Sequence, residues 1–482
     1  MRGLLRRLFS ESAVYGLGGM TNQALAIILV PIYARQLGAA NYGVVAIVNT
    51  TLSLAVMAIG LALPQAFFRA YLRDAGSDRE RVAVLNTATG LRLVVSTLGL
   101  LLFSALSVPL TLLLFGGLDE LPILLLIGPT AFFDTLSLVP LSFLRAQRRP
   151  GPYMALASVR AVLGTLLIIV FVVGFDLGVL GVILGSAISA AVSASVGLLI
   201  LLRSSRVRLR WNGPLVRSML AFSLPLVPAA IAGWALNLSD RYVVQAFEGA
   251  AALGAYAAGY TIGLVINALA IQPFSLAWGA AYWEIARQDQ APHVFGRILT
   301  VFSVAAGILA LGLSAFGTDV VRFFLTPDFE PGRFVVPFSA FAYVLYGVYT
   351  IVTTGLNLTS QTRWVPIAIG AAAAGNVALN LVLVPAFGFM GAAYATLASY
   401  ASLALLGGWF SQRHYPVPWD HLRVGGTLIL GLALSLAALL GPDAFAWRAL
   451  TFAVYLPLLL GLRLVSLAEL RAGWAALRRP RR

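Results

Sequence analysis

An all-α polytopic membrane fold is predicted by three features of this 482-residue sequence. Hydrophobic residues make up 60% of the chain and charged ones only 11%, mean hydropathy is +0.90, and apolar runs of about twenty residues recur from end to end. A membrane β-barrel would show short alternating segments instead, and none are evident.

Fourteen spans are predicted, over residues 12–37, 43–68, 83–107, 122–144, 153–174, 178–202, 218–246, 254–280, 295–317, 334–357, 364–384, 388–410, 425–441 and 448–468. About twenty residues at a rise of about 1.5 Å each suffice for a hydrocarbon core of about 30 Å. The loops support this count. Arginines fill the N-terminus (Arg2, Arg6, Arg7) and the even loops: Arg69, Arg73, Arg79 and Arg81; Arg145, Arg148 and Arg149; Arg203, Arg206, Arg208, Arg210 and Arg217. The tail adds Arg471, Arg478, Arg479, Arg481 and Arg482. Acids occupy the odd loops: Asp119, Glu120, Asp176, Glu248, Asp319, Asp328, Glu330 and Asp443. Positive charge marks the cytoplasmic side, so a multi-pass protein with both termini in the cytoplasm is expected. The opening MRGLLRRLF leads into a full-length span without an A-x-A cleavage signal and reads as a retained signal anchor.

The same pattern excludes several function classes. The net charge of +15 comes from 33 basic residues, all of them arginine; most lie in alternate loops, which sets orientation rather than a nucleic-acid surface. No cysteine is present, which removes disulfides, thiolate catalysis and cysteine metal sites. His293, His414 and His421 all fall in short polar connections, so no metal site is expected, and no cofactor. No stretch between spans exceeds about twenty residues, too little for a soluble catalytic domain. A non-enzyme is expected.

The chain repeats itself. Gly178, Gly181, Ser186 and Ser189 open span six, and Gly388, Gly391, Thr396 and Ser399 open span twelve at the same offsets. Similar loops precede them, Gln147-Arg148-Arg149 and Gln361-Thr362-Arg363, and LGAANYG (37–43) echoes LGAYAAG (253–259). Small residues at such spacings also serve helix packing. A matched pattern six spans apart reads as duplication, and parallel repeats are a transporter architecture with substrate between the halves. The expected divisions are an N-terminal lobe (1–210), a C-terminal lobe (211–412), and two further helices with a basic tail (413–482).

Polar residues inside spans are the candidate site, because such residues are costly in lipid and face a bundle interior or wet cavity. In span seven, Asn237, Asp240 and Arg241 share a side with Trp234. Arg92 lies eleven residues beyond Arg81 and Arg160 eight beyond Pro152, about 16 Å and 12 Å into the membrane. Arg69, Arg35 and Arg463 are shallower and read equally as interfacial anchors. Asp134, again about 16 Å deep, is placed to pair with Arg160 from the next span; Asp134 and Asp240 are also the candidates for coupling transport to a proton or cation. Adjacent helical residues diverge by about 100°, and of Asp240 and Arg241 the arginine is expected to face cargo. Asn22, Gln23, Asn49 and Gln65, with Tyr256, Tyr260, Asn267 and Gln272, place the pathway along spans one, two, seven and eight. Pro31, Pro64, Pro225, Pro228 and Pro273 fall within or near these spans and permit bending there.

NLSDRYVVQAF (237–247), ALNLVLVPAFGFMGAAYAT (378–396) and VPIYARQLGAANYGVVA (30–46) resemble the polysaccharide transport branch of the multidrug/oligosaccharidyl-lipid/polysaccharide exporter superfamily. The resemblance covers essentially the whole chain. It implies two pseudo-symmetric six-helix lobes around a central cavity plus two C-terminal helices, in the inner membrane of a bacterium. It further implies a flippase that moves polyprenyl-diphosphate-linked oligosaccharide to the outer leaflet by alternating access, for export of O-antigen, capsule or exopolysaccharide. The implied partners are the lipid-linked oligosaccharide, the bilayer, a coupling cation or proton, and other polysaccharide-assembly proteins. Arginine suits such a cargo because its planar fork pairs phosphate bidentately. The alternatives are a lipid II flippase or a cation-coupled drug exporter of the same superfamily, and at greater distance a membrane polymerase or ligase, which would need a long outer loop.

Overall fold

The computed structural model describes the backbone of residues 2–204 and 211–466 and, within these, the side chains of residue 25 and from residue 29 onward, 204 and 280 excepted. Asn22 and Gln23 lie outside the described side chains, as do Arg2, Arg6 and Arg7; Arg206, Arg208, Arg210 and the tail arginines lie outside the described residues altogether. Among the described residues every regular element is helical. Eleven helical runs are long and apolar enough to cross a membrane, against fourteen expected spans. Spans one and two fall on one helix that turns at Gly38, spans seven and eight on the single run Gly213–Gly279, and span fourteen on the shorter run Phe445–Gly461.

The chain divides into two compact units, Met1–Gly254 and Ala255–Arg482. The first begins with α1 (Arg2–Gly60), whose Gly38 takes φ 71°, a conformation that costs glycine nothing. Then follow α2 (Leu63–Arg69), a π turn (Ala70–Asp74), α3 (Asp78–Phe115), α4 (Leu121–Leu125) and α5 (Ile127–Ala146). After these come α6 (Pro150–Ile169), α7 (Gly178–Ser204), α8 (Gly213–Ser223), α9 (Val227–Leu238) and most of α10 (Asp240–Ile266). Ser77 and Glu80 cap α3: the Ser77 hydroxyl accepts from the Glu80 amide at 3.3 Å, and Glu80 Oε2 accepts from the Gly76 amide at 2.7 Å. Within this unit α5 packs on α1, α3 and α7, and α6 on α1 and α7. One apolar core joins Phe67, Leu85, Phe143 and Met219.

Of the prolines expected to permit bending, Pro31 lies inside α1 and the others stand at or just before helix starts. Pro64 begins α2, Pro228 begins α9 and Pro225 sits in the short 3₁₀ turn before it, positions where the missing N–H does no harm. Backbones also come very close here. A Cβ on Gly43 would strike the Ala250 carbonyl, and one on Gly254 the Ala39 carbonyl, so α1 and α10 cross through small residues.

The second unit holds α11 (Gln272–Ile285, opened by Pro273), α12 (Ala291–Phe324), a 3₁₀ segment (Pro327–Phe334), α13 (Val335–Val352) and α14 (Thr354–Leu358). It continues through α15 (Trp364–Phe387), α16 (Phe389–His414), α17 (His421–Leu440), α18 (Phe445–Ala453) and α19 (Tyr455–Gly461). Here α16 packs on α13 and α15, and α12 on α13, α17 and α18. The repeated motifs share geometry. Gly178 (φ 53°) and Gly388 (φ 61°) both take positive φ at the start of their motifs. Arg148 (φ 54°) and Ser360 (φ 57°) each close a helix, with the next amide reaching back to Leu144 O at 3.0 Å and Leu356 O at 2.8 Å. The loops correspond through these turns, two residues out of register with the alignment of their glutamines.

Candidate functional site

The deepest charges of the first unit are engaged by protein groups. Arg160, on α6, grips Asp134 of α5 through both oxygens, Nε–Oδ1 at 2.8 Å and Nη2–Oδ2 at 3.1 Å. Its Nη1 donates to Ser189 Oγ of α7 at 2.6 Å. The expected pairing of Asp134 with Arg160 is thus present, and it ties three helices together. Ser189 is the last member of the first repeat motif. Its counterpart Ser399 accepts from Asn376 Nδ2 at 3.2 Å, and Asn380 in turn donates to Asn376 Oδ1 at 3.0 Å. Each copy therefore anchors the same serine from the preceding long helix, by a charge in one unit and by an amide in the other. Asn376 and Asn380 were not singled out from the sequence, although two asparagines four apart in an apolar helix were a visible signal.

Arg92 is only 1% exposed. Its Nη1 and Nη2 donate to the carbonyls of Ile59 and Gly60, each at 3.2 Å. The reason lies in the adjoining turn, where Leu61 (φ 46°) and Ala62 (φ 49°) are both left-handed and break the helix between α1 and α2. A break inside a span frees carbonyls that lipid cannot satisfy, and the fork of Arg92 supplies two donors.

Helix α9 stops at Leu238 and α10 begins at Asp240, with the Tyr242 amide reaching Ser239 O at 3.1 Å in a tightened turn. At the start of α10 Arg241 Nη1 meets its neighbour Asp240 Oδ1 at 3.2 Å and reaches back across the break to Asn237 O at 3.1 Å. Both residues belong to α10, and the long guanidinium arm curls back to its neighbour's carboxylate despite the 100° divergence. Arg241 is 8% exposed and Asp240 1%, so neither presents much surface. Asn237 donates to Gly233 O at 2.7 Å.

A second set of side chains remains open. On the long helix pair α1–α2, Asn49, Gln65 and Arg69 are exposed while most of their neighbours are buried. Asn49 lies eleven residues past the turn at Gly38, about 16 Å along the helix. One turn further, Ser53 accepts from Trp234 Nε1 at 2.9 Å. Thr51 bonds the Tyr242 hydroxyl at 2.9 Å, and the Trp234 and Tyr242 rings lie 6.0 Å apart. Arg69 sits over the Phe222 ring at 4.8 Å and 3.5 Å from Asp74. Thr51, Tyr242 and Gln245, which donates to Leu114 O at 3.2 Å, were missed by sequence reasoning. In the second unit Tyr260 is buried, its hydroxyl 3.1 Å from that of Tyr343, and Asn267 is half-buried in a π turn. No group of three or more metal-ligating side chains occurs among the described residues.

Chemically, the first unit combines closed ion pairs between and within helices with exposed amide and guanidinium groups, flanked by a bonded hydroxyl and indole. The fold matches solved transporters. The chain superposes on a lipid II flippase, MurJ, in an inward closed conformation with a TM-score of 0.75 and 15% identity, covering 97% of this chain and 100% of that one. An inward-facing multidrug resistance transporter of the MATE family matches at 0.63 and 16%, covering 82% and 94%. A Vibrio cholerae MATE transporter matches at 0.57 and 14%, covering 86% and 97%. In sequence, a probable low-salt glycan biosynthesis flippase, Agl15 of Haloferax volcanii, is 20% identical over 225 residues, 45% of this chain. The chain spans about half, 47%, of that curated relative. The model of the polysaccharide biosynthesis protein family matches residues 8–278, more than half of the sequence, and the chain belongs to that family.

Proposed function

We propose that the protein is a flippase that carries a polyprenyl-diphosphate-linked oligosaccharide from the cytoplasmic to the outer leaflet of a bacterial inner membrane by alternating access, and that it catalyses no covalent step. Family membership and a flippase among its relatives support the general class. The observation that carries the cargo is the open stripe of Asn49, Gln65 and Arg69, with the half-buried Ser53 and Trp234 beside it. An exposed amide some 16 Å along a membrane helix is untenable against lipid, so the stripe faces a wet cavity. Amides, hydroxyls and an indole are what sugars require, and a guanidinium is what a diphosphate requires. In this reading the lobes are the repeated halves, 1–210 and 211–412, with 413–482 appended. Arg92, Arg160 and Arg241 hold helix breaks and helix contacts, and Arg69 meets the headgroup. Moving such a headgroup through hydrocarbon is prohibitive, and the stripe lowers that cost.

The test is translocation of a short-sugar polyprenyl diphosphate in proteoliposomes. Asn49→Ala and Arg69→Ala should each slow it at least tenfold with normal folding. Folded wild type that moves no diphosphate lipid, yet extrudes a cationic dye under a Na⁺ or H⁺ gradient, would replace this reading with a cation-coupled exporter using Asp134 or Asp240.

A further inference from the structure

A second cavity in the first unit, of about 890 Å³, is not used by the transport reading. It opens on the arginine-bearing face, between the π turn after α2, the start of α3 and the α5–α6 turn. Its lining includes Arg79, Arg81 and Arg149, with Gln147, Tyr71 and Phe143. The sequence explains these arginines as orientation signals, but orientation requires charge in a loop, not convergence from two loops seventy residues apart.

We propose that this cavity binds the phosphate-ester headgroup of an anionic lipid. Charge is the first argument. Three arginines line it against one acid, Asp78, which Arg81 approaches only at 3.4 Å and which is 97% exposed. The side chains of Arg79 and Arg149 have no ion pair or hydrogen bond among the described residues, so their forks are available to an anion. Positioning is the second. The Ser77–Glu80 cap fixes Arg79 in the first turn of α3. Arg149 follows Arg148, which holds a left-handed conformation (φ 54°) at a helix end where glycine is usual. Shape is the third. Phe143 and Leu85 wall the cavity and Leu72, 56% exposed, lies at its rim. An apolar rim beside the arginine forks suits an ester whose next atoms are hydrocarbon; a free phosphate would meet the arginines and leave the rim unused.

The experiment is isothermal titration calorimetry of the full-length protein in neutral detergent. The probes are dioctanoyl phosphatidic acid, farnesyl diphosphate and, as zwitterionic control, dioctanoyl phosphatidylcholine. Wild type should bind at least one of the first two and not the third. Arg79→Gln/Arg149→Gln should weaken binding at least tenfold, and Ala146→Trp, which fills the cavity with both arginines intact, should do the same. Arg203→Gln, a surface arginine elsewhere on that face, should bind like wild type. Tighter binding of farnesyl diphosphate assigns the site to prenyl carriers and tighter binding of phosphatidic acid assigns it to bulk phospholipid; both sustain the proposal. It is overturned by binding of neither probe, by equal binding of phosphatidylcholine, by unchanged affinity in the filled or double variant, or by equal loss in Arg203→Gln. The readout is binding, so failure of transport would leave it standing.

Discussion

Asp134 and Arg160 offer the sharpest test of how this membrane interior is held. Two hydrogen bonds of 2.8 and 3.1 Å join them and a third, of 2.6 Å, runs from Arg160 to Ser189. The two side chains are 20% and 29% exposed. Removing one member of a fully buried pair costs about 3–5 kcal/mol, because the other charge is left without a partner. With a fifth to a third of each side chain still wet, we expect about 2–3 kcal/mol for Asp134→Leu or Arg160→Met alone. The double variant removes both charges and should lose only about 1 kcal/mol, since apolar groups of similar volume replace a buried pair with little penalty. The coupling energy is then about 3 kcal/mol or more, far above the ~0.5 kcal/mol scatter of independent sites. The assay is unfolding of all four proteins in one detergent, followed by the transport measurement. Single variants whose effects simply add would refute the strut. A double variant that regains stability but has lost transport would show that the charges work in the cycle.

Four further outcomes follow from contacts elsewhere. Arg92→Met should destabilise the protein by about 2–4 kcal/mol, two carbonyls at the Leu61–Ala62 break losing charged donors, and Arg92→Lys should recover part of this; thermal unfolding reads both. Gly43→Ala should cost about 1–3 kcal/mol or prevent folding, since its Cβ meets the Ala250 carbonyl, whereas Gly90→Ala, with open space, should be tolerated. Trp234→Phe keeps a ring but loses the bond to Ser53, and should slow transport severalfold while lowering stability by about 1 kcal/mol. Asp443 is held below the ordinary carboxylate range by hydrogen bonds from Arg322 and then Arg448. A depressed folded pKa contributes stability above the unfolded value that is lost as pH falls. The unfolding midpoint should therefore drop below about pH 4 in wild type, and less steeply in Asp443→Asn.

How much of this was legible in the sequence depended on whether the physics was periodic. Spans, loop charges and the six-helix repeat are periodic, and the apolar stretches are helical as hydropathy indicated, although they form eleven membrane-length runs rather than fourteen separate spans. The Asp134–Arg160 pair was legible too, because two opposite charges at similar depth on successive spans have few other partners. What could not be read was the breaks. The use of Arg92 depends on Leu61 and Ala62 turning left-handed thirty residues away, and nothing in either residue type favours that conformation. The Asp240–Arg241 contact was hidden for another reason: both residues lie in α10, and the arginine arm curls back to its neighbour's carboxylate, which spacing along a helix does not show. The breaks also redistribute the charges. A count of three deep arginines against two aspartates leaned toward an anionic cargo, but once the chain is bent, those arginines serve carbonyls and carboxylates of their own protein. The weight of the argument for an anion passes to Arg69, which sequence reasoning had left half-assigned as an anchor at the membrane edge. Depth alone is thus a poor guide to function in a membrane helix: a deep charge can be there to mend a break, as Arg92 does at Leu61–Ala62.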